Sequence, residues 1–271
     1  MKRVAYQGVK ASFSETAIEK CLVVSEAVGY KSFKEVFAAL LTGKVELAAI
    51  PIENTLIGPI AENVDLLYEC DVEIVREYCM PIAHCLLVKS EQARLDEISQ
   101  VISHPKALAQ CTGFFESHPW IEPVMHEDTA GAAREIAEGG ALGKGAIASR
   151  RTAEVYGLHV LKEHLEDDPS NTTRFVFLKR KGEGSSVGNK ISLLFTLPHL
   201  PGALAEALGV LREEWLNLTQ IVSRPLKGLP FEYLFFIEAS LDAEVDWQSV
   251  IAKLKEKTHT LKVLGVYDAA L

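Results

Sequence analysis

The chain has 271 residues, of which 48% are hydrophobic and 24% are charged, with a formal net charge of −9 and a pI of about 5.5. These values are typical of a globular protein of about two domains, and the acidic balance argues against nucleic-acid binding. No apolar run approaches the roughly 18 residues of a membrane span, so we expect no membrane partner.

Cysteine and histidine usage indicates a cytoplasmic protein without a metal site. Five cysteines are scattered without a Cys-x-x-Cys spacing, which predicts reduced thiols. The N-terminus enters a strand pattern directly, without the apolar region of a signal peptide. The histidines, His84 among them, show no metal-ligand spacing, and we interpret them as structural or surface residues.

Strand and helix patterns alternate through the first part of the chain. A predicted strand at Val4–Tyr6 precedes a helix that Ser12 begins, where a glutamate three residues later completes a capping box. Ser32 begins a second helix in the same way, and Glu46–Ile50 is typical of a buried strand. The alternation continues with strands at 101–103, 146–149 and 175–178 and with helices that begin at Pro105 and Asp128. This order predicts an α/β fold of parallel sheets with helices on both faces.

The pattern changes after a segment of linker composition, KRKGEGSSVG at 179–188. We therefore predict a first domain at 1–181, a linker at 182–188 and a second domain at 189–271. Strands are predicted at 191–197, 216–222, 231–237 and 261–267, the middle pair around a turn with Pro225, Gly228 and Pro230. Two helical stripes separate them, one of Leu204, Leu208, Leu211 and Trp215 and one of Trp247, Val250, Ile251 and Leu254. The order βαββαβ predicts a ferredoxin-like, split βαβ domain.

Polar residues recur where predicted strands end and helices begin. They are Gly8 to Ser14, Asn54–Thr55, Ser103–His104, Asp128–Thr129 and Ser149. Each is more readily explained alone as a helix cap than as a ligand contact. Their recurrence at this edge, where helix N-termini offer free N–H groups, predicts a small anionic ligand without naming a reaction.

Two further polar runs allow either a turn or a functional site. Pro51–Thr55 directly follows a predicted strand, and Asn171–Phe175 follows the polar stretch 166–170. A run of this kind can form a simple side-chain-stabilised turn. Local chemistry leaves the two interpretations open.

Four motifs occur together in a fixed order: IPIENTLIG at 50–58, SHPKALAQC at 103–111, DTAGAA at 128–133 and NTTRF at 171–175. In this combination the chain resembles the prephenate dehydratase family. The C-terminal part, with Leu200–Leu204 and Ser223–Pro225, resembles a phenylalanine-sensing ACT domain. The resemblance covers nearly the whole chain.

The resemblance implies a catalytic domain of two lobes like a periplasmic binding protein, with the active site between them. It implies conversion of prephenate to phenylpyruvate, water and carbon dioxide, without cofactor or metal. Because the chain begins with the dehydratase strand, we expect a monofunctional enzyme. The implied catalytic residues are Thr173, near the leaving hydroxyl, Arg174, as a carboxylate ligand, and Asn54, Thr55 and Glu53. The implied substrate contacts are Gly8, Ser14, Ser103, His104, Gln110, Thr129, Ser149 and Phe175.

For the second domain, the resemblance implies an L-phenylalanine site formed between two copies of the chain. The loop His199–Leu204 of one copy would meet the second strand of the other, so we expect a homodimer or tetramer. The implied effector contacts are His199, Leu200, Gly202, Ala203, Leu204, Asn217, Leu218, Ser223, Arg224 and Phe231.

Two alternatives stay open from the sequence. Arogenate dehydratase performs the same chemistry on an aminated substrate, and the motifs do not separate the two. A non-enzymatic small-molecule binding protein shares a two-lobed plan, although the Asn171–Phe175 run favours an enzyme.

Overall fold

The computed structural model describes residues 2–23, 25–139, 142–184, 187–226, 228–229 and 231–270. The strands are β1 (Lys2–Gln7), β2 (Ser25–Tyr30), β3 (Leu47–Asn54), β4 (Gly58–Pro59), β5 (Val72–Pro81), β6 (Cys85–Val88), β7 (Gln100–Ser103), β8 (Glu122–Met125), β9 (Lys144–Ala148), β10 (His159–Lys162), β11 (Thr172–Arg180), β12 (Lys190–Thr196), β13 (Leu218–Pro225), β14 (Tyr233–Ser240) and β15 (Thr260–Tyr267). The helices are α1 (Phe13–Cys21), α2 (Phe33–Leu41), α3 (Ala61–Glu69), α4 (Pro105–Ala109), α5 (Thr112–Ser117), α6 (Thr129–Gly139), α7 (Arg150–Tyr156), α8 (Ala203–Glu213) and α9 (Trp247–Lys257), with a 3-10 turn at Leu95–Glu97. Parts of three predictions lie outside the described residues: the domain ends at Met1 and Leu271, the linker at Ser185 and Ser186, and the turn at Pro230.

The first two helices begin where the sequence predicts. Ser12 Oγ accepts a hydrogen bond from the Glu15 amide, and Ser32 Oγ accepts one from the Glu35 amide. In both, the glutamate carboxylate accepts from the residue before the cap, not from the cap itself. The predicted helix starts are therefore confirmed, whereas the reciprocal half of each capping box is displaced by one residue.

The described residues form two compact units. The first comprises Met1–Val36, Asn54–Gly58 and Met80–Thr173, and the second comprises Phe37–Glu53, Pro59–Cys79 and Arg174–Leu271. This division into units does not test the domain boundaries predicted from composition, which stay a prediction.

The first unit contains a parallel pair, β1 and β2, and a five-stranded sheet in the order β10-β6-β9-β7-β8. Helices cover both faces, because one core cluster includes α4 and α5 and the other includes α6 and α7. Alternate residues of β6 enter the two cores, as strand geometry requires for a sheet buried on both sides. The prediction of a parallel sheet is correct for β7, β8 and β9 and wrong for β6 and β10, which run antiparallel to their neighbours.

In the second unit, β3, β11 and β5 lie side by side in that order, with β4 paired to β3. The sequence predicts that the run from Pro51 follows a strand. In the structure β3 continues through Asn54, so most of this run is part of the strand itself.

The other sheet of the second unit confirms the predicted βαββαβ order, with strands β13-β14-β12-β15 all antiparallel. Its core joins Ile191, Leu193 and Phe195 of β12 to Leu211 of α8 and Leu254 of α9. Burial of side chains of this size contributes about 1.5–3 kcal/mol each.

One residue of the predicted helical stripes is misplaced. α8 ends at Glu213, and Trp215 follows with a φ of 58° and 87% exposure. Leu216 is buried in its place, because the left-handed turn at Trp215 directs the chain back toward the core.

Within the described ranges, no helix combines the length and apolar character that crossing a bilayer demands.

Candidate active site

Two predicted polar runs, Asn54–Thr55 and Asn171–Thr173, lie side by side in the first unit. The Thr55 amide donates to the Thr172 carbonyl (2.9 Å), and the Thr172 amide donates to Thr55 Oγ1 (3.0 Å). The Thr55 hydroxyl donates to the Ser170 carbonyl at 3.2 Å. These bonds fix the two backbones against each other, so their side chains are held in a defined arrangement.

The orientation of the buried Asn54 amide follows from its backbone neighbours. The amides of Leu56 and Ile57 each donate to Asn54 Oδ1 at 3.1 Å. A backbone amide can only donate, so the side-chain oxygen faces these two groups and Nδ2 faces the opposite direction. Nδ2 donates to Asn171 Oδ1 at 2.8 Å, to Thr173 Oγ1 at 3.0 Å and to the Thr172 carbonyl at 3.2 Å.

The hydrogen bond from Asn54 fixes the position of the Thr173 hydroxyl oxygen, and the hydroxyl can act as a donor. Its oxygen accepts from Asn54, which leaves the hydroxyl hydrogen to point elsewhere. In the ranges that the structure covers, no group accepts that hydrogen, and the side chain is partly exposed. Such a hydroxyl can donate to an oxygen of a bound ligand.

The same network continues from Asn171 to a buried histidine. Asn171 Nδ2 donates to Gln110 Oε1 at 3.1 Å, and His84 Nε2 lies 3.0 Å from the same oxygen. Because this oxygen only accepts, Nε2 carries the hydrogen. Burial lowers the pKa of His84, so the ring is neutral and Nδ1 is bare. Nδ1 is buried and has no hydrogen-bond partner among the described groups.

Several other predicted contacts form helix caps. His104 Nδ1 caps α4 by accepting from the amide two residues later (3.1 Å), and Ser149 Oγ caps α7 by accepting from the amide three residues later (3.2 Å). Asp128 caps α6, of which Thr129 is the first residue. Ser103 is fully buried and donates to a carbonyl of β9 at 2.6 Å. A role for these residues in substrate binding stays a prediction.

The predicted contacts in the N-terminal loop are Gly8 and Ser14. Gly8 has a φ of 123°, which favours glycine, and an added Cβ would meet the Ser12 side chain at 3.3 Å. Ser14 is buried in the first turn of α1. The loop conformation is thus explained locally, and its contact with substrate stays a prediction.

In the second unit, Arg174 lies among charged groups, most of which are buried. This group, the Arg174 cluster, consists of Arg174, Lys190, Glu53, Glu77 and Glu238. Arg174 Nη1 donates to Glu77 (3.0 Å) and Glu238 (2.9 Å), and Nε and Nη2 donate to Glu53 (3.4 and 3.1 Å). Nη2 also donates to Gln220 at 2.5 Å. All five N–H groups of the guanidinium have protein partners, so this conformation leaves none for a substrate carboxylate.

The Arg174 cluster has three carboxylates and two cations. Lys190 Nζ lies 2.9 Å from Glu77 and 3.1 Å from Glu238. Burial alone raises the pKa of Glu238, but Arg174 and Lys190 lower it overall. Burial opposes the charge of Arg174, yet the neighbouring carboxylates raise its pKa above the usual value. Both ions are therefore charged, although Glu238 is only 1% exposed.

The predicted effector residues of the second unit do not all line one cavity. His199, Leu200, Ala203, Leu204 and Phe231 line one cavity of about 490 Å³. Asn217 and Leu218 line another, of about 360 Å³. Of the rest, Ser223 is exposed, Gly202 begins α8 with a φ of 84°, and Arg224 makes two 3.2 Å hydrogen bonds to Asp65.

Of the predicted catalytic and substrate residues, the structure brings together Asn54, Thr55, Gln110 and Thr173. Glu53, Arg174 and the buried Phe175 belong to the second unit. Two members of the network, Asn171 and His84, were missing from the prediction. The Asn171–Phe175 motif contained the first, whereas the only sequence signal for the second is a histidine that directly precedes the apolar strand β6.

Comparisons with known proteins agree with the predicted family. The family model described as prephenate dehydratase matches residues 4–183. The chain is 38% identical to arogenate dehydratase/prephenate dehydratase 2 of Arabidopsis thaliana, over 98% of this chain and 72% of that protein.

Several solved structures match almost the whole chain. The prephenate dehydratase of Arthrobacter aurescens, in complex with L-Phe, has a TM-score of 0.89 and 27% identity, over 99% of this chain and 90% of the other. A structure described as GqqA, a novel type of quorum quenching acylase, has a TM-score of 0.89 and 31% identity, over 99% and 98%.

Proposed function

We infer that this chain, which belongs to the prephenate dehydratase family, is a carbon–oxygen lyase that converts prephenate to phenylpyruvate, water and carbon dioxide. The reaction belongs to aromatic amino-acid biosynthesis. The observation that carries the mechanism is the hydrogen bond from Asn54 Nδ2 to Thr173 Oγ1, which leaves the threonine hydrogen free to donate.

The reaction needs a donor for the departing hydroxyl group. As the ring carboxylate leaves as carbon dioxide, its bonding electrons enter the ring, and the hydroxyl departs with the electrons of its C–O bond. We assign Thr173 to donate a hydrogen bond to that oxygen as negative charge develops on it. A hydroxyl is a weak acid, so the final proton of the product water comes from solvent. A preorganised donor of this kind contributes about 10²–10³-fold in rate.

Arg174 and Glu53 enter the proposal in a different way from Thr173. The sequence motif predicts that Arg174 binds a substrate carboxylate, but its N–H groups already have five bonds to protein acceptors. We therefore assign Arg174 to the stability of the second unit. A substrate carboxylate bound by Arg174 would first have to displace Glu53, which is the most exposed of its carboxylate partners.

The antiparallel sheet of the second unit is proposed as an ACT domain that binds L-phenylalanine and inhibits the enzyme. Its βαββαβ order and the cavity lined by His199, Leu204 and Phe231 support this assignment. The relative from Arthrobacter aurescens has been described in complex with L-Phe. Since the other predicted effector residues, Asn217 and Leu218, line a separate cavity, a complete site would require a second copy of the chain. We propose a homodimer or homotetramer for this reason.

Arogenate dehydratase is the second candidate function. A Petunia hybrida relative named arogenate dehydratase 2 is 40% identical to the chain, and the Arabidopsis thaliana relative at 38% identity bears both names. The two substrates differ in the side chain, where prephenate has a keto group and arogenate an amino group.

The test is to incubate the purified chain separately with prephenate and with arogenate and to measure phenylpyruvate and phenylalanine. We expect a higher kcat/KM with prephenate. A preference for arogenate would establish the second candidate, and turnover of neither substrate would contradict both. Binding without turnover would favour the non-enzymatic binding protein.

A further inference from the structure

A series of side-chain hydrogen bonds links Asn54 to His84 through Asn171 and Gln110. Different groups fix the donor–acceptor direction at the two ends of this series. We call this series of side chains, Asn54, Asn171, Gln110 and His84, the amide relay. At one end, two backbone amides fix the Asn54 oxygen. The middle members are primary amides, whose oxygen and nitrogen are similar in size, so their orientation depends on their neighbours.

The donor that fixes the far end is His84 Nε2–H. Gln110 Oε1 accepts from Asn171 on one side and from His84 on the other. Without the second donor, Gln110 can rotate and present its own NH₂ group to Asn171. Asn171 would then have to rotate too, which places its NH₂ group against that of Asn54. Because Asn54 itself cannot rotate, this conflict weakens its hold on Thr173.

The surroundings of His84 favour a role beyond stability. Its ring is held by an edge contact with Phe13 (centroids 5.9 Å apart), and its backbone amide donates to Glu166 at 2.7 Å. Its Nδ1 nevertheless stays buried without a partner in the region the structure covers. A buried acceptor without a partner is destabilising, so stability alone does not explain a histidine at this position.

We propose that His84 is a positioning residue: as the neutral Nε2–H tautomer, it fixes the amide relay so that Asn54 holds Thr173 as a hydrogen-bond donor. The inference rests on the proposed dehydratase function for its kinetic consequence. The tautomer itself follows from the hydrogen bonds alone.

The kinetic test compares His84→Met with His84→Gln. Methionine fills similar space without a donor, whereas the glutamine amide nitrogen can take the place of Nε2. For His84→Met we expect kcat to fall about tenfold, equivalent to roughly 1.4 kcal/mol, with KM changed less than about twofold. Its melting temperature should change little, because methionine removes the unpaired Nδ1 but also leaves opposed NH₂ groups in the relay. His84→Gln should keep kcat within about threefold of the parent. His118→Gln, a histidine of the same unit outside the relay, is the matched control and should leave kcat unchanged.

Two kinetic outcomes would overturn the proposal. Full kcat in His84→Met would show that the donor is not needed. Equal losses in the methionine and glutamine variants, with lower melting temperatures, would indicate that His84 only packs.

A spectroscopic test separates this inference from the proposed function. In a two-bond ¹H–¹⁵N spectrum of the full chain labelled at histidine, the signal absent from His84→Gln identifies His84. We expect the neutral Nε2–H pattern, and an Nδ1–H tautomer or an imidazolium at neutral pH would refute the relay. If the parent turns over neither substrate, the proposed function fails, and this spectrum still decides the tautomer.

Discussion

Replacing Arg174 by methionine should strongly destabilise the second unit. The change leaves three carboxylates with Lys190 as the remaining cation, and two of them, Glu77 and Glu238, have side chains only 3% and 1% exposed. Removal of one partner from a buried ion pair costs about 3–5 kcal/mol, because it leaves a buried charge uncompensated. At about 2–4 °C per kcal/mol for a chain of this size, the melting temperature should fall by roughly 6–20 °C.

The matched control is Arg151→Met, which breaks an exposed pair. Arg151 lies 2.7 Å from Glu19, with side chains 37% and 43% exposed. Such pairs contribute about 0–1 kcal/mol, so this variant should melt within roughly 2–4 °C of the parent. Thermal melts followed by circular dichroism at pH 7, with urea titrations beside them, measure both changes. Adding Glu238→Gln to Arg174→Met should recover part of the loss, because it removes one of the uncompensated charges.

The pH dependence of stability provides a second measure of the same cluster. The folded-state pKa of Glu238 is lowered, so its contribution is present above the unfolded pKa of about 4.3 and is lost as the pH falls through the folded value. Arg174→Met should therefore lose less stability than the parent does on acidification. If Arg174→Met melts with the parent at pH 7, the Arg174 cluster does not stabilise the fold, and our assignment is wrong.

Three further results follow from the site and from the second sheet. Thr173→Val should lower kcat about 10²–10³-fold at an unchanged melting temperature, whereas Thr173→Ser, which keeps the hydroxyl, should retain most activity; a valine variant with normal kcat would remove Thr173 from the mechanism. Burial lowers the folded pKa of His84, so stability should fall as the pH drops below the unfolded value of about 6.5, and His84→Gln should reduce that slope. Gly202→Val should weaken inhibition by L-phenylalanine in activity and calorimetric titrations, whereas Gly157→Val, strained by a similar positive φ in the first unit, should not; equal effects would indicate general strain.

Local features of the fold were predictable because the residues that decide them are close in sequence. The helices that begin at Ser12, Ser32, Asp128 and Ser149 depend on hydrogen bonds within three residues. The βαββαβ order follows from alternating and helical apolar periods. The direction of β6 was not predictable, because its apolar run fits a parallel or an antiparallel neighbour equally well.

The polar contacts of the candidate site could not be predicted from local sequence patterns. Asn54 and Asn171 are 117 residues apart, and no spacing rule links them. The sequence resemblance identified both runs, but the hydrogen bonds that orient their amides appear only when Leu56 and Ile57 are in place. Arg174 is the opposite case. The motif predicts that it binds a substrate carboxylate, whereas its partners in the structure, Glu77 and Glu238, lie 97 and 64 residues away in the sequence.

The separate environments of Thr173 and Arg174 have a simple geometric origin. The two residues are consecutive in β11, and successive side chains of a strand point to opposite faces. The Thr173 hydroxyl bonds to Asn54, and the Arg174 guanidinium bonds to carboxylates. The two side chains therefore belong to separate hydrogen-bond networks among the described residues. We therefore expect Thr173→Val to lower kcat without loss of stability and Arg174→Met to lower stability, even though one short motif contains both residues.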